Sequence, residues 1–143
     1  MKHIRKFLLF LPPVILCGAA VTLSRKPEHS CIPAGTEEER RAYLYHCGLQ
    51  GEAAGSCTVM IPQKFTGIYA DYAALQQQQG LPLAEYAGET AVVYTYQLEK
   101  DYAEFLVTDG ILAGAHRCSP EGAEILSMEG KPFRSAVTEI QSD

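Results

Sequence analysis

Residues 102–118, YAEFLVTDGILAGAHRC, decide the fold. Two β-prone runs flank Asp109-Gly110, a dipeptide suited to a two-residue type I′ turn because both central positions need positive φ. The stretch therefore predicts a β-hairpin. Gly114, inside its second arm, predicts a bulge or a close approach by another chain segment. His116 and Cys118 are two apart on that arm, so they share one face of the strand.

Upstream, ETAVVYTYQLEK (89–100) alternates cleanly. Val92, Tyr94, Tyr96 and Leu98 fall on one side, and Val93, Thr95 and Gln97 on the other, the pattern of a strand with one buried face. SCTVMIP (56–62) predicts a short strand closed by Pro62, and GLQGEAAGS before it reads as a loop. Two helices are expected. Thr36 and Glu39 have capping-box spacing ahead of EEERRAYLYHC (37–47), and Gly48 suits the C-terminal stop. Tyr43, Leu44 and Cys47 would form the buried face of this helix. KFTGIYADYAALQQQQG (64–80) places Phe65, Ile68, Tyr69, Tyr72 and Leu75 in one amphipathic stripe. Gly80 ends it and Leu81 folds back, which leaves Gln76–Gln79 as an exposed last turn. LPLAEYAG predicts a connector with a helical turn near Ala84–Tyr86, and SPEGAEILSME (119–129) a short helix.

These elements predict an α+β domain: a small antiparallel sheet of about four strands with two helices packed on one face. Its expected extent is 36–129, with a linker at 27–35 (RKPEHSCIPAG from Arg25) and a loose tail at 130–143.

The first 26 residues point to a location. Lys2, Arg5 and Lys6 precede FLLFLPPVILCGAAVTL (7–23), an uncharged run. The order basic, apolar, small is that of an export signal. A span needs about 20 apolar residues, so residues 7–23 predict either a short membrane anchor or a signal peptide cleaved near Ala20. Acylation of Cys17 is a third reading, opposed by the bulky Leu16 before it. The three leading bases against Arg25 and Lys26 put the rest of the chain outside. All seventeen acidic residues lie beyond Lys26 with seven bases, a net charge of −10 that disfavours nucleic acid and anionic lipid.

The segment from about Glu37 to Cys118 resembles a family of small exported bacterial proteins, domain-of-unknown-function family 4830. The matching pieces are YLYHCG, the Ile61-Pro62 pair before Phe65, YADYAALQQQQG, LAEYAG, VVYTYQ and FLVTDGILAGAHRC. The resemblance implies a membrane segment ahead of the domain and no established activity, so no residue role comes with it. This chain departs from the family in Cys47 and Cys57, and Cys31 is its own.

Four cysteines follow the leader: Cys31, Cys47, Cys57 and Cys118, which allow three pairings. A Cys47–Cys57 disulfide would close a short loop and contribute about 3 kcal/mol. The competing reading is two packed thiols. His46, Cys47, His116 and Cys118 are the donors from which zinc could choose. However, no C-x-x-C or H-x-x-x-H spacing occurs and neighbours on a helix diverge by about 100°. No metal or cofactor is therefore expected. Nucleophile elbows, phosphate loops and dinucleotide fingerprints are absent from the sequence. Glu99, Asp101 and Glu104 read as a solvated turn.

The expected function is a membrane-tethered, extracytoplasmic, non-enzymatic domain binding a protein, peptide or cell-envelope ligand. Tyr94, Thr95, Tyr96 and Gln97 are the candidate ligand-facing residues, unless the tyrosines are core. The alternative is a small thiol- or metal-dependent enzyme using Cys118 with His116 as its base.

Overall fold

A computed structural model describes residues 31–122 and 124–133. In chain order it contains α1 (Glu37–His46), β1 (Glu52–Met60), α2 (Ile68–Gln78), a 3₁₀ turn (Leu83–Tyr86), β2 (Thr90–Gln97), β3 (Tyr102–Thr108), β4 (Ile111–Cys118) and β5 (Ile125–Leu126). The five strands form one antiparallel meander in the order β1-β2-β3-β4-β5. The α+β class is as the patterning requires. The sheet gains a fifth, two-residue strand where a helix was expected at 119–129.

The β3–β4 hairpin turns on Asp109 (φ 49°) and Gly110 (φ 74°), both in the left-handed region that a type I′ turn demands. The register then slips by one residue: Val107 faces Leu112, but Leu106 faces Gly114. Ala113 is the extra residue of a β-bulge. Without it, His116 would lie opposite Ala103. With it, His116 lies opposite Glu104.

Cross-strand partners share a face, so the register sorts the sheet into two surfaces. Tyr94, Phe105 and Ala115 lie on the first, with Tyr96 beside Ala103. Leu44 of α1 packs here, and Leu81, Leu98, Val107, Leu112 and Met128 complete the main core. Phe105 meets Tyr43 edge-on at 5.4 Å and Tyr96 at 5.3 Å. The capping box forms as the Thr36/Glu39 spacing requires, at 3.2 and 3.0 Å. Arg40, one residue further, is buried. Its guanidinium donates to the carbonyls of Ala34 and Gly35 and to Tyr96 Oη, and it stacks 3.6 Å above the Tyr94 ring. Tyr96 Oη in turn donates to Glu37 at 2.9 Å. A buried cation is tolerable only with such full satisfaction.

The second surface carries Ala91, Val93 and Leu106 at one end. Ile61, Leu83, Phe65, Tyr72 and Tyr86 cover it. Toward the other end it carries Thr95, Glu104, His116 and Cys118.

Four expectations are corrected. The glutamine turn is not an exposed run: Gln76 is 0% exposed, and its Oε1 accepts from Ala115 N at 2.8 Å. Gln79 donates to Ala115 O at 2.9 Å and accepts from Met128 N at 2.7 Å. The two amides act as the missing neighbour of β4 where β5 stops. β1 begins at Glu52, inside the expected loop, and almost every residue of it is exposed. The folded part reaches past 36–129 at both ends: Pro33 bridges Ile111, Ala34 N donates to Gly110 O, and Pro132 bridges Leu126. Finally, the expected transmembrane helix is not found. Among the described residues no helix is long and apolar enough to cross a membrane. The 11 residues of α2 fall well short of the about 20 required. Residues 7–23, Cys17 and Ala20 lie outside the described residues.

Candidate functional site

The densest meeting of reactive side chains is on the second sheet surface, where the covered half gives way to the open one. The bulge turns His116 to the side of Glu104, and their Nε2 and Oε2 lie 3.1 Å apart. From α2, Tyr72 brings its hydroxyl to 2.7 Å from His116 Nδ1, with the rings edge-on at 5.5 Å. Phe133 also meets Tyr72 edge-on, at 6.5 Å. Thr95 donates to Glu104 Oε1 at 3.5 Å. Cys118 follows two residues after His116, and donor atoms of Glu104, His116 and Cys118 all lie within 4.8 Å of one another. His116 is buried, whereas Glu104 and Cys118 are half-exposed, so the cluster opens toward solvent on their side.

The electrostatics follow from this placement. The hydrogen bond from His116 holds the Glu104 carboxyl below the usual carboxylate range, outweighing its partial burial. Burial pushes the Cys118 thiol up, and the carboxylates of Glu104 and Asp101 push the same way. Burial also raises Tyr72, reinforced by Glu104 and Cys118. At neutral pH the cluster therefore holds a carboxylate, a neutral phenol and a neutral thiol.

This arrangement bears directly on the Cys118–His116 dyad. A nucleophilic thiol needs a lowered pKa or a free neighbouring base. Here the thiol is raised, and both His116 nitrogens already have partners.

The residues expected to face a ligand separate. Tyr96 is 1% exposed and belongs to the main core, and Tyr94 is half-buried beneath Arg40. Thr95 lies on the opposite surface beside Glu104, and Gln97, two residues along, is exposed. Cys47 and Cys57 are free thiols. Cys47 packs against the main core beneath α1, while Cys57 faces out beside Val93 on the second surface. The sheet lies between them. Cys31 is an exposed free thiol. His46 and Cys47 instead line a surface cleft with Tyr43, Leu75 and Met128, between α1, α2 and the turn at 127–132. Burial pushes the Cys47 thiol up there too.

Glu104 and Tyr72 are the members that sequence reading misses. Glu104 reads as one of three charges at a turn, yet it sits within β3. Asp101 is also no solvated charge: it is buried, and its Oδ2 accepts from Arg117 Nε and Nη2 at 2.8 Å. The signal that finds Glu104 is the hairpin register with Ala113 counted as the extra residue of one bulge.

The sheet also has two unlike edges. Along β4, Ile32 O accepts from Leu112 N, the glutamines take Ala115, and β5 takes Arg117 and Cys118. Along β1, no strand among the described residues pairs with the outer edge. No family model, curated protein or solved structure matches this chain.

Proposed function

We propose that this chain is an extracytoplasmic, non-enzymatic binding module that takes an extended segment of a partner polypeptide along the bare edge of β1. The observation that carries the proposal is the contrast between the sheet's two edges. A bare edge presents unpaired N–H and C=O groups, and folded proteins normally blunt it with lysine, proline, brevity or a bulge. The β4 edge is covered along its length. β1 is nine residues long and contains neither lysine nor proline. Its one bulge lies between Ala53 and Gly55, at the start, and leaves Ser56–Met60 in regular register with β2.

The chemistry of the partner follows from that stretch. Ser56, Thr58 and Met60 point to one side and Cys57 and Val59 to the other, all without charge. Met60 is 71% exposed. An added strand would gain its main-chain hydrogen bonds from the edge and its selectivity from small and apolar side chains. The raised Cys118 thiol and the doubly engaged His116 support a non-catalytic reading over the thiol enzyme. The location rests on the basic, apolar and small-residue order of residues 2–20.

The test is in-cell photo-crosslinking from position 58, compared with the exposed Glu121. A discrete protein captured from 58, lost when Ser56 and Met60 are both changed to lysine, supports the proposal. Equal capture from 121, capture indifferent to the lysines, or no capture at all counts against it.

A further inference from the structure

The Glu104–His116–Cys118 cluster combines an oxygen, a nitrogen and a sulfur donor on two adjacent strands. We propose that these three residues form a site for a single divalent transition metal of the Zn²⁺ type, bound through a Glu104 carboxylate oxygen, His116 Nε2 and Cys118 Sγ. The inference stands apart from the β1 proposal and survives its failure.

Three features support it. The first is donor type. Zinc takes thiolate, imidazole and carboxylate ligands together, at about 2.3 Å to sulfur and about 2.0–2.2 Å to nitrogen and oxygen. In a tetrahedral site such bonds place ligand atoms about 3.3–3.8 Å apart. His116 Nε2 and Glu104 Oε2 already lie 3.1 Å apart, and the whole set lies within 4.8 Å. Side-chain adjustment of about an ångström closes the set without moving the strands.

The second is the partner behind the histidine. Metal-bound imidazoles donate their other N–H to an oxygen, which fixes the tautomer and aims the ring. Tyr72 Oη occupies that place at 2.7 Å from Nδ1. Metal binding replaces the Nε2–H hydrogen bond to Glu104: with Nδ1–H donated to Tyr72, the Nε2 lone pair and a Glu104 oxygen both turn to the cation. Thr95 plays the equivalent part for Glu104 through Oε1, leaving Oε2 on the side of His116.

The third is charge and access. Deprotonated Cys118 and ionised Glu104 together neutralise a dication, and the thiol proton leaves to solvent on binding. Both anionic ligands are half-exposed, so an ion reaches the site from solvent. Three protein ligands leave a fourth position for water or a partner's donor.

Titration of the reduced, metal-depleted full chain with Co²⁺ decides the matter. The expected result is one equivalent bound, with ligand-field bands of tetrahedral cobalt in the visible and a thiolate-to-cobalt band in the near ultraviolet. Zn²⁺ should displace both. Cys118→Ser should remove the near-ultraviolet band, whereas Cys57→Ser and Cys31→Ser should keep it. Tyr72→Phe, which retains the ring, should weaken affinity by about 10–100-fold. Glu104→Gln, on a half-exposed residue, serves if Cys118→Ser does not fold, and should weaken binding at least as much as Tyr72→Phe. Absence of tetrahedral bands overturns the proposal. So does a near-ultraviolet band that survives Cys118→Ser, or affinity unchanged by Tyr72→Phe and Glu104→Gln.

Discussion

Gln76 illustrates how one polar side chain secures a sheet edge. It is fully buried, lies against Gly114, and supplies the acceptor for the Ala115 amide. Gln76→Ala removes that acceptor and leaves a cavity, so urea unfolding should report a loss of about 2–4 kcal/mol. The thiols separate in the same way. Cys57 and Cys31 are exposed, whereas Cys118 is half-buried with its thiol pushed up, so iodoacetamide at pH 8 should label the first two well before Cys118. Rapid alkylation of Cys118 would instead revive the thiol-enzyme alternative. The acid limb of stability belongs to Glu104 and Glu37. Both carboxyls lie below their usual range, Glu104 through His116, and Glu37 through Tyr96, Arg41 and Arg40 against the opposing effect of burial. A lowered folded value makes the contribution complete above the unfolded pKa of about 4.3 and lost as pH falls through the folded one. Stability should therefore drop below pH 4, and Glu104→Gln should flatten part of that drop in acid titrations followed by circular dichroism.

The hairpin shows how far an element can be read from its residues. Asp109-Gly110 specifies the turn by itself, and Gly110→Ala should cost about 1–2 kcal/mol in thermal unfolding, because φ is 74° there and no neighbour crowds the new methyl group. The start of α1 and both helix stops were equally legible, but α2 begins at Ile68 behind an uncapped Gly67, not at the expected Lys64. Thr36 caps through Glu39, and Gly48 and Gly80 adopt positive φ, with Leu49 N returning to Leu44 O and Leu81 N to Gln76 O. The candidate site was not legible. Counting pairs outward from the turn without a bulge sets Glu104 opposite Ala115 and His116 opposite Ala103, on the wrong surface. Gly114 hinted at the bulge, but the hint does not say where the extra residue falls. Nor does composition reveal that Gln76 and Gln79 serve β4, since a glutamine turn is ordinarily solvated and only tertiary contact makes it core. The alternation put Tyr96 on one face of the strand but left open whether that face met a ligand or the core; its burial and its bonds to Arg40 and Glu37 depend on how α1 crosses the sheet.

At the scale of the molecule, the fold holds one main core beneath α1 and a smaller one beneath the 3₁₀ turn, with the sheet between them. Phe105, buried at the meeting of Tyr43, Tyr96 and Ala115, is the residue on which the main core converges. Phe105→Ala should cost about 3–5 kcal/mol. The edges of the sheet then set what the molecule offers to others: one is closed by its own chain, and the other is left open over Ser56–Met60. Amide hydrogen exchange resolved to single residues tests this contrast most directly. The account predicts strong protection of Leu112 and Ala115 on the outer side of β4, and rapid exchange of the outward-facing amides between Ser56 and Met60. Those same β1 amides should become protected when the crosslinked partner is added. Protection of the β1 edge in the isolated protein, or exchange at Ala115 as rapid as along β1, would contradict it.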